Sequence, residues 1–278
     1  MTKIIVTHQS VDLDAIAAAW LILRFFPGWN TAQLAFVPAE CTLEGKLVDS
    51  NPSIWHVDTG KGIFDHHQRH EYTSATQLVY EHMAQHAYIE GPMLRALERM
   101  VHVITDIDHF AEVFYPEPDA DRYEFMAYQI ISELKGMFKS DEETVKQGGI
   151  LLDAILRSFK KRMHAESEIE KGYVYTSYLG KSIVMDTGND EVLKLAQKMG
   201  YKMSARFDTT KGVIRIKCIP EQNLDLTPLY TKLKKKEPKV NWFLHISKHM
   251  LFNSSQKSNT FIPSRITPKE FIAITAAI

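Results

Sequence analysis

Three side chains able to bind a cation stand close together in "VTHQSVDLDAIAAAW", residues 6 to 20, where His8, Asp12 and Asp14 lie between an apolar run and an Ala-rich one. A second cluster, Asp58, Asp65, His66 and His67, occupies "HVDTGKGIFDHHQ" (56–68), and a third, Asp106 and Asp108, occupies "VITDIDHF" (103–110). Each cluster falls at or just after the end of an apolar segment. Carboxylates and imidazoles without thiolates suit Mn, Mg or ferrous Fe better than a structural zinc. On an extended backbone Asp12 and Asp14 point the same way, and two such carboxylates can serve adjacent ions. So many carboxylates in one cleft repel one another unless cations resolve the repulsion. Two ions about 3.5–4 Å apart lower the pKa of a bridging water and clamp a phosphoryl group for in-line attack, the chemistry of phosphatases and nucleases. Taken singly, Asp14 reads as a helix cap and a lone His as a core residue. The ordered set is hard to obtain from caps and packing alone.

These groups need elements to position them. Strands are expected at 3–8, 32–39 and 53–60, with 62–67 as a fourth strand or a strand-edge turn. Helices are expected over 14–25, 74–86, about 91–103, 123–138 and 141–171. Strands alternating with helices indicate an α/β fold, a parallel sheet flanked by helices, with ligands at the carboxyl ends of its strands. After Lys171 the pattern changes to a smaller α+β unit. It has strands at 173–179 and 182–186, a capped helix over 189–200 and a hairpin pair at 202–208 and 212–219. "KLKKKEPK" (232–239) reads as a basic helix end on a solvated face. The expected division is 1–140, a helical linker at 141–172, and 173–278.

Bulk properties narrow the function. The chain has 278 residues, a formal net charge of -1 and 45% apolar residues. That is ample for a core, and the balance argues against a broad basic face that coats nucleic acid. The two cysteines, Cys41 and Cys218, cannot build a disulfide framework and are expected to be buried thiols in a reducing compartment. The longest apolar run near the N-terminus, Ala15 to Leu23, is too short to span a bilayer, and no secretory leader is read before it. A cytoplasmic protein with no membrane association is expected.

The ordered clusters resemble the DHH phosphoesterase superfamily, called after its Asp-His-His motif. "THQSVDLDAIAAAW" matches the first motif, "HVDTG" the second and "DHHQ" the third. "TSATQLVYEHM" resembles the helix start that follows, and "TDIDHF" resembles the fourth motif, an Asp with an aromatic four residues on. That spacing selects Asp106, with Phe110 as the aromatic and Asp108 as runner-up. "DHHQRHEY" is also similar to MYG1-like members. The likeness covers roughly residues 1 to 115. It implies two divalent ions, Mn before Mg or Fe. His8, Asp12 and Asp58 would hold one; Asp14, Asp58, His66 and Asp106 would hold the other. His67 would face the substrate phosphate, and Asp65 would orient a neighbouring His.

The second half departs from the family, whose glycine-rich substrate loop is absent. The nearest analogue is the polar segment 242–265, read as irregular, with His245, Lys248, Ser255, Lys257 and Arg265 as candidate phosphate contacts. Arg206 and Arg215, with Lys217 beside them, are a second basic candidate. The expected activity is Mn-type hydrolysis of phosphodiester bonds. The expected partners are a small phosphorylated substrate or a short single-stranded oligonucleotide, with a homodimer left open. A family II-type inorganic pyrophosphatase, for which "SRITPKEF" (264–271) offers a late Ser-Arg-Lys run, and a non-catalytic nucleotide-binding module are the alternatives.

Overall fold

The computed structural model describes residues 2–253 and 261–278. The chain divides into two compact units, Met1–Lys160 and Lys161–Ile278. The first is built on a three-stranded parallel sheet with β1 (Ile4–His8) at its centre. β2 (Gln33–Val37) lies on one side and β3 (Ile54–His56) on the other. A parallel strand covered on both faces should be a nearly continuous apolar run, and IIVTH is one, with Ile5 and Val6 fully buried. Because β3 pairs only with Ile4 to Val6, β1 runs on past it and carries His8 at its carboxyl end. Residues 62–67 form no further strand. A single parallel bridge, Val57 to Phe64, is all that forms before the Asp65 amide turns back onto the Gly62 carbonyl.

Five helices complete this unit. α1 (Leu13–Phe25) is buried continuously from Asp14 to Ile22, as expected of a helix apolar on all sides. α2 (Ala75–Gln85) begins at the Ser74 cap, and α3 (Gly91–Asp108) begins with Pro92 in its first turn. α3 runs beyond the expected end at 103, so Asp106 and Asp108 stand on its last turn and not at a strand end. The expected helix over 123–138 is split. A 3-10 turn at Asp121–Phe125 is parted from α4 (Ala127–Met137) by an extended Met126. α5 (Asp141–Glu170) begins in the first unit and ends in the second. Gly148 lets α5 lie against α1, since a Cβ there would stand 2.7 Å from Ile16 Cγ2.

The second unit is a six-stranded mixed sheet in the order β4-β5-β6-β7-β9-β8. β4 (Tyr173–Ser177) and β5 (Gly180–Asp186) form a hairpin, and α6 (Glu191–Lys198) crosses over to β6 (Met203–Asp208), the one strand parallel to its neighbour. β7 (Val213–Cys218) returns antiparallel. α7 (Thr227–Lys236) and α8 (Pro268–Ala276) pack on the core through Leu229, Leu233 and Phe271. The segment 242–265 is not irregular throughout. β8 (Trp242–Leu244) and β9 (Met250–Asn253) pair antiparallel and extend the sheet, because Trp242 and Leu251 have a core to enter.

The protein is thus mixed α/β, with eight α-helices and two separate sheets among the described residues. No helix of the described residues is long and apolar enough to cross a membrane. Cys218 is buried, but Cys41 is exposed, on a turn closed by its amide to the Pro38 carbonyl. The contrast between two helix glycines gives a stability test. Gly148→Val should destabilise by roughly 1–3 kcal/mol through overpacking against Ile16. Gly136→Ala, with open space around it on α4, should stabilise by roughly 0.5–1 kcal/mol through chain entropy. Urea unfolding of the two variants, read side by side, checks both signs.

Candidate metal centre

The site grows from the carboxyl end of β1. The chain leaves His8 through Ser10, whose φ of 59° is left-handed, and the amides of Ser10 and Val11 donate to Asp141 at the start of α5 (3.1 and 3.4 Å). Asp12 then caps α1, accepting the Ala15 amide on Oδ1 at 3.0 Å. Its Oδ2 stays 3.8 Å from His8 Nε2. Asp14 is a cap of another helix. Its buried carboxylate accepts the amides of Ala75 and Thr76 (2.7 and 2.9 Å) at the positive end of α2.

Asp58 follows β3 in a left-handed conformation (φ 55°), fixed by its amide to the Phe64 carbonyl, and is 3% exposed. Its Oδ2 stands 3.2 Å from His8 Nε2, and its Oδ1 stands 3.5 Å from His66 Nε2 and 3.7 Å from His67 Nδ1. His66 donates Nδ1–H to the Thr73 carbonyl at 2.8 Å. Asp65, fully enclosed, accepts the Lys61 amide on one oxygen, and both the amide and Nδ1–H of His67 on the other (2.6, 3.1 and 2.7 Å). His67 is half exposed and keeps Nε2 for a ligand.

The last turn of α3 supplies one acid to the cluster. Residues two apart on a helix project to different sides. Asp108 faces His66 Nδ1 at 3.4 Å, whereas Asp106 accepts the Tyr72 hydroxyl at 2.9 Å and lies 3.7 Å from His102. Three sets therefore have ligand atoms close enough to hold a metal: His8, Asp12 and Asp58; Asp14, His66 and Asp108; Asp58, His66 and His67. The structure gathers His8, Asp12, Asp14, Asp58, His66 and His67, with Asp65 behind them, and brings Asp108 where the aromatic spacing selects Asp106. Thr73 and Thr76, which hold these groups in place, lie in the "TSATQLVYEHM" helix start that resembles the family's, whereas Asp141 carries no signal in the sequence beyond that of an ordinary helix start.

The hydrogen bonds decide what the cluster can do. A carbonyl only accepts, so His8, bonded through Nδ1 to the Gln9 carbonyl, and His66, bonded to Thr73, both carry their proton on Nδ1 when neutral. Their Nε2 lone pairs then face the Asp58 carboxylate directly. Asp58 Oδ1, fully buried, accepts no hydrogen bond at all. Lone pairs cannot meet in this way without a proton or a metal ion between them. The donor set and its tethered imidazoles fit a hard or intermediate divalent ion.

Without an ion, protons do this work. Asp12 and Asp58 push the His8 imidazole up to about 11. Burial and the charges of Asp58 and Asp108 raise Asp14 to about 8, and burial raises Asp108 to about 6. For His66, burial works against the charged ring, but the Thr73 carbonyl and the nearby acids outweigh it and raise its pKa. Burial of Asp65 is likewise outweighed by His67, which holds its pKa down.

The candidate contacts of the second unit sit as follows. Arg206 is buried and donates Nε to Asp190 at 2.5 Å, and Arg215 bonds the other oxygen of the same Asp190. His245 shares a hydrogen bond with Ser247 at 2.9 Å, and Lys248 pairs with Asp225 at 3.4 Å. The Arg265 amide donates to Glu237, which also accepts the Ser264 hydroxyl. Ser255 and Lys257 lie outside the described residues. Thr267 and Glu270 form a capping box, so the 264–271 run is the start of α8.

A family model described as "ChrB, C-terminal domain" matches residues 5–159, more than half of the chain and nearly all of the first unit. The chain belongs to this family. Every residue of the ChrB C-terminal-domain match discussed above, from His8 to Asp141, lies inside it. No curated protein matches the chain. Among solved structures, RecJ in complex with Mg2+ from Thermus thermophilus aligns with 99% of this chain and 49% of that chain, at 12% identity and a TM-score of 0.32. The chain spans about half the length of that RecJ.

A pH dependence follows from the proton-filled cluster. Asp14, Asp108 and His8 hold protons more tightly folded than unfolded, so their share of stability is complete below their ordinary pKa values and is lost as pH rises. The loss runs from 3.8 to about 8 for Asp14, from 3.8 to about 6 for Asp108 and from 6.5 to about 11 for His8. Asp12, held below its ordinary value, acts the other way only under more acid conditions. The melting temperature of chelator-treated protein should fall from about pH 5 to about pH 8, and Mn2+ should raise it most at the upper end. A melting temperature of the chelator-treated protein that stays flat across that range would contradict the proton-filled cluster.

Proposed function

We propose that the first unit is a divalent-metal-dependent hydrolase of phosphoester bonds of the DHH type, acting on the phosphodiester bonds of small nucleotides or short oligonucleotides. The observation that carries this reading is the convergence of the His8 and His66 Nε2 atoms on the buried Asp58 carboxylate, whose Oδ1 accepts no hydrogen bond. His8, Asp12 and Asp58 would hold one ion, and Asp14, His66, Asp108 and Asp58 a second, with Mn the best match to the donors. The bound ions would supply a hydroxide at neutral pH and polarise the phosphoryl group.

The chain's own groups do the rest. Carbonyls at Gln9 and Thr73 fix which nitrogen His8 and His66 present. The amides at the start of α2 aim Asp14. Asp65 fixes His67 through Nδ1, which leaves Nε2 to meet a non-bridging phosphate oxygen as charge develops there. The 264–271 run, taken up by a helix cap, lends no support to a pyrophosphatase.

Asp58→Ala should lose metal from both positions, read by elemental analysis, and all turnover with it. His67→Gln should keep its metal and lose roughly 10²–10³ in kcat, the weight of one well-placed donor. Metal lost from the His67 variant instead would exchange the roles of His66 and His67. Mn-loaded protein offered a dinucleotide, a cyclic dinucleotide, a longer single strand and pyrophosphate in parallel should cleave the dinucleotide. Phosphate released from pyrophosphate alone, or no turnover of any of the four, would overturn the assignment.

A further inference from the structure

The second unit carries an excess of positive charge in one place. Arg206 on β6 and Arg215 on β7 stand directly opposite each other in the antiparallel register. Like charges so placed destabilise a strand pair unless something neutralises them. One carboxylate serves both, since Asp190 takes Arg206 on Oδ1 and Arg215 on Oδ2. Arg206 is only 4% exposed, and its Nη1 reaches a backbone carbonyl, that of Thr187, at 3.4 Å. Of the nearby acids, Asp208 is paired with Lys211, while Glu168 accepts from Thr187 and Asn189 and Asp186 from Thr209. Lys217, two residues along β7 and on the same face as Arg215, has no ion pair among the described residues. Two guanidiniums thus share one carboxylate, with Lys217 beside them.

This excess borders a cavity of about 280 Å³ lined by Asp190, Arg215 and Lys217 on one side and by Leu193, Met250 and Phe252 on the other. The β7–β9 register sets Phe252 opposite Arg215 and Met250 opposite Lys217, with the guanidinium 5.9 Å from the Phe252 ring centroid. Two guanidiniums that divide a single carboxylate between them, one of them half-buried at the cavity wall, leave room for a further anion. A wall of Leu, Met and Phe beside it calls for a carbon body, and the volume lies near the lower end of small-molecule sites.

We propose that this cavity binds a small phosphomonoester. Its dianionic phosphate lies against Arg215 and Lys217 and adds negative charge where Asp190 alone serves two guanidiniums. Its carbon body lies against Leu193, Met250 and Phe252. Arg206 is a positioning residue that holds Asp190, and through it Arg215, in place. The site lies wholly in the second unit and does not rest on the metal-centre reading.

The test is isothermal titration of the full chain with phenyl phosphate, in excess chelator so that the first unit's metal centre does not contribute. Phenyl phosphate should bind saturably and more tightly than inorganic phosphate, and phenol should not bind. Arg215→Gln and Lys217→Gln should each weaken phenyl phosphate by about tenfold or more, as expected for one charge-assisted hydrogen bond. Lys217→Gln leaves the Asp190 pair intact, so it reads binding even where the Arg215 variant loosens the sheet. Phe252→Ala should bring phenyl phosphate down to the affinity of inorganic phosphate. No saturable binding by the parent, or undiminished binding by the Lys217 variant, would overturn the proposal. So would equal affinity of the parent for phenyl phosphate and inorganic phosphate.

Discussion

The first unit depends on a carboxylate that cannot be satisfied by the protein around it. Asp58 is buried, strained into a left-handed conformation and left with one oxygen that accepts nothing, while two imidazoles turn their lone pairs toward it. Such an arrangement is costly in any fold unless positive charge enters it. Everything nearby keeps it in being. The Phe64 carbonyl pins the Asp58 backbone, the Gln9 and Thr73 carbonyls deny the imidazoles another orientation, and the start of α2 keeps Asp14 from turning away.

The supporting groups are mostly backbone. Amides of Ala15, Ala75 and Thr76 bind the carboxylates of Asp12 and Asp14, and amides of Lys61 and His67 bind Asp65. Helix starts and tight turns have amides to spare. An acid bound by two amides keeps its orientation with little rotamer freedom, which is what a ligand set needs. The second unit uses the opposite arrangement, with cations in excess over acids on one sheet face.

Much of this was legible in the residue pattern. The IIVTH run, the Ala-rich α1 and the position of His8 at the end of β1 follow from β-branched and apolar runs alone. The Asp12, Asp14, Asp58, His66 and His67 grouping was legible because its spacing is hard to produce by packing. The choice between Asp106 and Asp108 was not, because it turns on α3 continuing through 104–108, where helical phase and not distance to Phe110 selects the acid. Asp141 was invisible for another reason. Its partner amides are about 130 residues away in sequence, and at its own position it looks like any acid in a helix's first turn. The β8–β9 pair was hidden because three- and four-residue strands carry too few side chains for alternation to show.

The contact from Asp141 to the Ser10 and Val11 amides has a consequence for where the first unit ends. Its sheet is complete by His56, yet the loop that presents His8 and Asp12 is tied to the first residue of α5. Further along α5, Val145, Leu152 and Leu156 are buried and Gly148 meets Ile16. The opening five turns of α5 are in this sense a late-arriving wall of the amino-terminal unit. During synthesis the cluster's first loop has no anchor until the ribosome has released residues well beyond 141. A fragment ending at 140 would keep every ligand atom and lack the clasp that orders two of them, so the smallest self-sufficient form of this unit reaches to about residue 160.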